Sequence, residues 1–301
     1  MQATLAVSEK HVNPTPVLTP ESVVEGVEDL LSLPDAAMRL NALLVDPDAS
    51  TREIAEVVTL DAGLSARVLR AVNSAYFGLR TKVDTISKAI SMIGTSELHS
   101  LVLTTSASQA FKNISYKLMD METFWQHSVR AALAARGLAE NSLKRHRERV
   151  FLAALMHDIG KLVLYHQLPG VSARILEAVK QGQAQEAVEH SLLGFSHADV
   201  GAVLLERWSL PASLTVPVRY HHRFADAPEY LQEAALINLG SHIADYMELE
   251  LDARVGVLPD AEQAWSQAGC SAEELEEVVA EVDMNWLQVI EIVAPGSLMI
   301  Y

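Results

Sequence analysis

Apolar residues recur at intervals of three and four along most of the sequence, and this spacing restricts the fold more than any other feature. An early example runs from Val23 through Val27 to Leu31, and a late one covers residues 271–293. Such spacing places the apolar side chains on one face of an α-helix. Nowhere do two adjacent segments alternate apolar and polar residues between turn signals, as the strands of a sheet would. The sequence therefore predicts an all-α protein, a multi-helical bundle of about a dozen helices.

Several helix boundaries can be located from short polar motifs. Ser50 is followed three residues later by Glu53, and Ser271 is followed in the same way by Glu274. A serine and a glutamate at this spacing form a capping box, in which each side chain binds the backbone N–H of the other residue. We therefore expect helices to begin after Ser50 and Ser271, and we expect Gly94 to end one.

The chain divides into a tail and two helical blocks. Residues 1–17 are polar and include Pro14 and Pro16, so we expect a flexible tail that adds little stability. An N-terminal helical subdomain is predicted over residues 18–118. A second helical subdomain, which includes the C-terminal helices, is predicted over residues 119–301.

Composition limits which partners the protein can bind and in which cellular compartment we expect it. Half of the 301 residues are hydrophobic, which is enough to bury a sizeable core. The net charge of -16 disfavours binding to duplex nucleic acid or to anionic membranes, because both carry negative charge. The single cysteine, Cys270, cannot form an intramolecular disulfide, and no apolar run approaches the roughly 20 residues of a membrane span. We therefore expect a cytoplasmic protein without a membrane segment.

The segment LMHDIGKLVLYH, residues 155–166, places polar residues inside an otherwise apolar helix. Burying the imidazole of His157 and the carboxylate of Asp158 without partners would cost several kcal/mol. Adjacent helical residues point about 100° apart, so these two side chains can share an ion only near a helix end or with unequal roles. Gly160 is consistent with such a break in the helix.

Histidine is concentrated in the second block, where nine of the eleven histidines lie between residues 127 and 242. A divalent ion that acts on phosphates requires imidazole and carboxylate ligands. His127, the adjacent His157 and Asp158, and Asp245 would bring such ligands from three helices to one point. The sequence thus predicts that these four residues meet around one divalent ion.

Two further sets of residues extend this hypothesis. His197, His221 and His222 would supply a second metal position or contacts to a bound phosphate, and Lys161 would contact a phosphate oxygen. The alternative is that each histidine is satisfied in the core or at the surface, that Asp245 is a buried hydrogen-bond acceptor, and that no ion enters. His146 and His166 are assigned to structural roles.

The longer motifs resemble those of the HDOD family, the HD-related output domains of bacterial signalling proteins. In the first block the resemblance is carried by LPDAAMRLNALLVDPDAS and LSARVLRAVNSAYFG. In the second it is carried by LAALMHDIGKLVLY, HADVGAVLLERWSLPASLTVPVRYHH and LINLGSHIADY. The resemblance implies an N-terminal helical subdomain packed on a bundle of the HD phosphohydrolase type.

The resemblance also implies roles for the candidate ligands. His127, His157, Asp158 and Asp245 match the four-ligand HD pattern, for which iron or manganese is favoured and zinc or magnesium are alternatives. His197, His221 and His222 match additional histidines of related cyclic-dinucleotide phosphodiesterases. Those enzymes carry a Gly-Tyr-Pro motif that is absent here, and Arg223 stands where they have glutamate.

Two functions remain open at this stage. The first is a regulatory output module that keeps an HD-type metal site and binds a signalling protein, or a nucleotide or phosphate ligand. Its partner surface is predicted around Asn73, Ser74, Tyr76 and Phe77, although Asn73 and Ser74 could instead cap a helix while Phe77 packs inside. The second is a metal-dependent phosphohydrolase acting on a nucleotide or phosphodiester, with Lys161 steadying the phosphate.

Overall fold

The computed structural model describes residues 18–27, 31, 33–46, 49–112, 117–249 and 261–295. The predicted tail, residues 1–17, lies outside the described residues. The described part of the chain contains fifteen α-helices and no strand, so the predicted all-α class is confirmed. In that same part, no helix combines the length and the hydropathy needed to cross a membrane.

The first block is built from five helices. They are α1 (Pro20–Glu25), α2 (Asp35–Val45), α3 (Thr51–Leu60), α4 (Ala62–Val72) and α5 (Ile86–Phe111). The predicted cap of α3 is present, because Ser50 Oγ accepts from the Glu53 amide and the Ser50 amide donates to the Glu53 carboxylate over 2.8 Å. At Gly94, where a helix end was expected, φ is +84° and α5 bends sharply.

Ten helices form the second block. They are α6 (Met121–Ser142), α7 (Arg147–Leu155), α8 (Ile159–Gln167), α9 (Pro169–Lys180), α10 (Gln185–Leu193), α11 (His197–Arg207), α12 (Ala212–Tyr220), α13 (Leu231–Glu248), α14 (Glu262–Ala268) and α15 (Leu275–Val293). The cap at Ser271 is also present, and it begins a short 3-10 turn that leads directly into α15. The helices exceed the predicted dozen because α8, α10 and α14 span too few turns to show a clear period.

Helix α6 lies at the centre of the second block and packs against α7, α13 and α15. Helix α15 also contacts α4 and α5, so the last described helix joins the two blocks. Two hydrogen bonds connect the blocks at another point. The Trp208 indole donates to the Leu31 carbonyl over 2.7 Å, and the Asn41 amide donates to the Ser209 carbonyl over 2.7 Å. The two predicted subdomains therefore share one hydrophobic core.

Two glycines allow helices to pack unusually closely. A Cβ atom at Gly160 would overlap the carbonyl oxygen of His197 and lie 2.6 Å from the amide nitrogen of Gly201. A Cβ atom at Gly240 would lie 2.5 Å from the carbonyl oxygen of Ala131. Since the obstacle in each case is backbone, it cannot rotate away. Gly160 thus fixes the distance between α8 and α11, and Gly240 fixes that between α13 and α6.

We predict that Gly160→Ala destabilises the protein by about 1–3 kcal/mol or more, because α8 must move away from α11. Gly170→Ala is the matched control, since Gly170 lies in the first turn of α9 and its added Cβ would meet no atom within 4 Å. Denaturant unfolding of both variants measures the difference. Equal stabilities would show that the packing of α8 on α11 is not tight.

Candidate metal centre

His157 and Asp158 lie in a turn between two helices. Helix α7 ends at Leu155, and α8 begins at Ile159. This interruption of the helix lets the two adjacent side chains face the same interior point. The sequence analysis had predicted that they could share an ion near such a helix end. Gly160 was expected to break the helix at this point, but it lies inside α8. Its role is to let α8 pack closely on α11.

The first group of candidate ligands consists of His127 from α6 and the pair in the turn. One ligand atom from each of His127, His157 and Asp158 lies within 4.8 Å of the others. Nε2 of His157 lies 3.4 Å from Oδ2 of Asp158, and Nε2 of His127 lies 3.9 Å from the same oxygen. Three of the four residues predicted to share an ion are therefore brought together.

The second group consists of His197, His221 and His222, whose ligand nitrogens also lie within 4.8 Å of one another. Nε2 of His197 lies 3.0 Å from Nε2 of His222 and 3.2 Å from Oδ1 of Asp158. The two carboxylate oxygens of Asp158 thus face different groups, Oδ2 the first and Oδ1 the second. Asp158 stands between two neighbouring sets of metal-ligand atoms.

Two of the histidines are oriented by the backbone of their own helices. Nδ1 of His157 hydrogen-bonds the Ala154 carbonyl over 2.7 Å, and Nδ1 of His221 hydrogen-bonds the Val218 carbonyl over 2.7 Å. A carbonyl only accepts, so Nδ1 carries the proton and Nε2 keeps a free lone pair. Both Nε2 atoms are buried and have no hydrogen-bond partner among the described residues. Histidines held in this way are typical of metal ligands.

Asp245 is placed differently from the other predicted ligands. Its Oδ1 lies 3.6 Å from Nδ1 of His127, on the opposite side of the ring from Asp158, and its side chain is 64% exposed. Glu248 reaches the same nitrogen, with Oε1 at 3.1 Å. His127, Asp245 and Glu248 thus form a third group that is open to solvent. The arrangement of all four predicted ligands around one ion stays a prediction.

Lys161 forms an ion pair with the central carboxylate. Its Nζ lies 2.6 Å from Oδ2 of Asp158. Burial alone would raise the pKa of Asp158, but the charges of His157 and Lys161 and the hydrogen bond from His197 outweigh burial and hold it well below the usual value. Burial likewise opposes the charge on Lys161, and Asp158 reverses that effect and raises the pKa of Lys161. The lysine predicted to contact phosphate therefore contacts the ligand carboxylate in this structure.

Three of the candidate histidines are in the protonation state that ligation requires. Burial lowers the pKa of His157 to about 4 and lowers the pKa values of His221 and His222 well below the usual value. These rings are therefore neutral at pH 7, the form in which imidazole binds a metal. Burial also opposes protonation of His127, but the hydrogen bond with Glu248 and the charges of Asp158 and Asp245 raise its pKa.

Glu189 is a functional side chain that the sequence analysis missed. It lies on α10, is buried, and places Oε2 2.6 Å from Nδ1 of His197. Burial disfavours the imidazolium of His197, but Glu189 outweighs that effect and raises the pKa of His197 to about 9. In the sequence, Glu189 is a lone glutamate eight residues before His197. That spacing does not show that the two side chains meet, and only the fold brings them together.

The residues of the predicted partner surface lie at the seam between the blocks. The Asn73 amide is committed to the backbone: Nδ2 donates to the Leu69 and Val83 carbonyls, and Oδ1 accepts from the Val83 amide over 2.8 Å. Tyr76 and Phe77 are half-buried in a short 3-10 turn with their ring centres 5.1 Å apart. The hydroxyl of Ser74 is buried and has no partner among the described residues.

Comparison with known proteins identifies the family. The model of the HDOD domain matches residues 30–224. Because this match covers more than half of the sequence, the chain belongs to the HDOD family. His127, His157 and Asp158 of the first ligand group and all three histidines of the second fall within the match, whereas Asp245 lies beyond it.

Solved structures agree with this fold, and a curated relative is similar in sequence. A protein from Shewanella amazonensis SB2B, described as a candidate phosphohydrolase, is 26% identical, with a TM-score of 0.74 over 91% of this chain and 98% of its own. A candidate signal transduction protein from Marinobacter aquaeolei VT8 is 23% identical, with a TM-score of 0.71 over 91% of this chain and 61% of its own. An uncharacterised protein of Treponema pallidum (strain Nichols) is 24% identical over 69% of this chain, which spans only 40% of that protein's length.

We predict that Glu189→Gln destabilises the metal-free protein at pH 7 by about 3–5 kcal/mol, because His197 loses its buried counter-charge. In the parent, folded His197 keeps its proton up to about pH 9, whereas an unfolded histidine loses it near pH 6.5. The folded state therefore binds more protons in this window, so the parent loses stability as the pH rises through it.

In Glu189→Gln, stability should depend much less on pH between about 7 and 9.5. The measurement is denaturant unfolding of chelator-treated protein across this range. The exposed Glu177→Gln is the control and should behave like the parent. A pH dependence identical in the parent and in Glu189→Gln would contradict the assignment of the charged pair.

Proposed function

We propose that this HDOD protein is a bacterial signalling module whose second block holds one or two divalent ions and whose output is the binding of a signalling protein. The observation that carries the metal assignment is the pair of buried, unpartnered Nε2 atoms on His157 and His221. A buried polar atom without a partner costs about 1–3 kcal/mol. Metal ions bound to these two nitrogens would remove that cost.

The donor atoms fit a borderline transition metal. Imidazole nitrogens predominate, and carboxylate oxygens complete the set, which suits iron, manganese or zinc better than calcium. Iron or manganese is the choice that the family resemblance favours. The first group would hold one ion through His127, His157 and Asp158, and the second would hold another through its three histidines. Asp158 would then contribute to both positions.

The burial of the site favours a regulatory role over turnover. His157, His197 and His221 have no exposed surface, and Asp158 is 3% exposed. The neighbouring side chains of His127 and Lys161 are only 15% and 17% exposed, and His222 is also only partly exposed, which leaves a substrate phosphate little access. A closed centre of this kind is suited to stabilising one conformation of the helices around it.

The partner surface is proposed at the seam, around Tyr76 and Phe77. Tyr76 lies beneath the guanidinium of Arg136, whose central carbon is 5.2 Å from the ring centre. Both aromatic rings line a cavity of about 530 Å³ between α5, α6 and α15. Aromatic and arginine side chains are enriched at protein interfaces. Asn73 supports this surface by holding the backbone at Val83, and its side chain is not free to bind a partner.

The second candidate function is a metal-dependent phosphohydrolase acting on a nucleotide or phosphodiester. It is favoured by the position of Asp158 between two ligand groups, which is suited to a pair of ions. When bound, such ions would polarise a phosphoryl oxygen and lower the pKa of a coordinated water. The chain's own contribution would be to orient the imidazoles through Ala154 and Val218, and to provide Lys161 as a cation beside the phosphate.

We predict that the parent protein, loaded separately with manganese, iron and zinc and then desalted, retains at least one ion. Asp158→Asn and His157→Gln should each bind metal at least about tenfold more weakly, since loss of even an outer partner of a ligand costs 10–100-fold. His166→Ala, on helix α8 after that turn and outside the three ligand groups, is the matched control. Retention of no ion by the parent, or equal affinity in Asp158→Asn, would show that the site is vestigial.

The same loaded samples separate the two functions. With a panel of nucleotides and phosphodiesters, the signalling module is expected to retain metal without turnover. Turnover that requires metal and disappears in Asp158→Asn would instead establish the phosphohydrolase. The two functions can therefore be tested with one set of variants, and the measurement of turnover distinguishes them.

A further inference from the structure

A second polar cavity lies at the opposite end of α7 from the metal centre. Its volume is about 320 Å³. The first block contributes Asn41 and the segment 95–100, which directly follows the bend at Gly94. The second block contributes Arg145, Arg149 and Ser213, the last of these from the first turn of α12. A ligand in this cavity would therefore touch both blocks.

Cationic side chains are concentrated here although the chain as a whole has a net charge of -16. Arg145 and Arg149 both line the cavity, together with His146. Arg145 is exposed, and within the described part of the chain it has no hydrogen bond or ion pair. A free arginine at the rim is therefore available to a ligand.

Arg149 is held in place but is not fully satisfied. Its Nη2 donates to Oε1 of Glu233 over 2.5 Å, and its guanidinium lies 5.5 Å from the ring centre of Tyr230. Its Nε is buried and has no acceptor among the described residues. Nε2 of His99 is also buried there without a partner, and burial lowers the pKa of His99 to about 4, so the ring is neutral at pH 7.

One acidic residue, Glu148, also lines the cavity, and its charge is compensated by its neighbours. Arg147 places Nε 3.1 Å from Oε1 of Glu148. Burial, together with a hydrogen bond to Glu148, raises the pKa of Glu97 to about 8. Glu97 therefore keeps its proton at pH 7 and hydrogen-bonds Glu148. Because Glu148 pairs with Arg147 and Arg149 pairs with Glu233, the unpaired Arg145 is the dominant charge at the cavity.

We propose that this cavity binds a small phosphate-bearing anion of about the size of a mononucleotide. The planar guanidinium groups of Arg145 and Arg149 match phosphate oxygens. Thr95, Ser96 and Ser213 add hydroxyl groups that can donate to the same oxygens. The volume is at the lower end of the range for small-molecule sites, which excludes a large ligand. The site is independent of the metal centre and does not rest on its function.

The test uses the full chain after chelator treatment, so that the metal centre cannot bind phosphate through an ion. Pyrophosphate, adenosine monophosphate and guanosine monophosphate are the probes, and the corresponding nucleosides are the uncharged controls. Isothermal titration gives the affinity. Thermal unfolding gives an independent reading, because a ligand that binds only the folded state raises Tm.

Two variants target the site in different ways. Arg145→Ala removes the unpaired cation, and Lys144→Ala is its matched control because Lys144 pairs with Glu140 over 2.8 Å. Ser213→Glu places a carboxylate in the first turn of α12, where a negative charge favours the helix but repels an anion. This variant should therefore fold while losing the ligand.

We expect at least one phosphate probe to bind the parent and to bind Arg145→Ala and Ser213→Glu at least about tenfold more weakly. Lys144→Ala should bind within about twofold of the parent. The proposal is overturned if no probe binds at millimolar concentration, or if nucleosides bind as well as nucleotides. It is also overturned if binding survives Ser213→Glu but is lost in His157→Gln, which would place the anion at the metal centre.

Discussion

The buried carboxylate of Asp158 is the group on which the rest of the site depends. A carboxylate taken out of water loses several kcal/mol of solvation, and it stays ionised only where positive charge and hydrogen-bond donors replace that solvation. Here Lys161 provides the charge and His197 provides a donor. Lys161 is largely and His197 fully removed from solvent, so each needs a counterpart, which is Asp158 for the lysine and Glu189 for the histidine. The site is thus a chain of mutually compensating charges, into which a metal ion would enter between neutral imidazoles.

Helix packing brings these charges together. The turn that carries His157 and Asp158 is fixed by α7 on one side and α8 on the other. Gly160 then allows α8 to approach α11, at whose first residue His197 lies. A side chain at position 160 would separate Asp158 from His197. The glycine of the HDIGK motif is therefore as much a part of the site as the residues that carry its chemistry.

The sequence was sufficient for the helical fold, and it named several of the side chains that the structure brings together at the candidate site. Helical spacing locates the longer helices, and the capping boxes locate the starts of α3 and the turn before α15. The cost of burying His157 and Asp158 pointed to partners, and the clustered histidines included His127 and His197, which lie beside Asp158. The sequence did not identify Glu189 or Glu248 as site residues, because a single glutamate on an amphipathic helix is normally solvated. Only the fold brings each of them to a histidine. The role of Gly160 was also hidden, since a close helix approach leaves no local pattern.

Helix α7 gives the two candidate sites a physical connection. Its first turn carries Arg149 beside the polar cavity, and the turn after its last residue, Leu155, carries His157 and Asp158. Nine residues at about 1.5 Å per residue make a rod of roughly 13 Å. The rod is packed against α5, α6, α12 and α13, so it cannot bend freely.

An anion held by Arg149 and an ion held by His157 would therefore act on the same rigid element. Either ligand can shift α7 only by as much as its affinity differs between two positions of the helix. Coupling of this kind is reciprocal, so an anion that strengthened metal binding would itself bind more tightly to the metal-loaded protein. The cavity also touches the first block through Asn41 and the segment after Gly94, so the same movement would reach the seam that carries Tyr76 and Phe77. In the proposed signalling module, α7 would form the path between a ligand and the output surface.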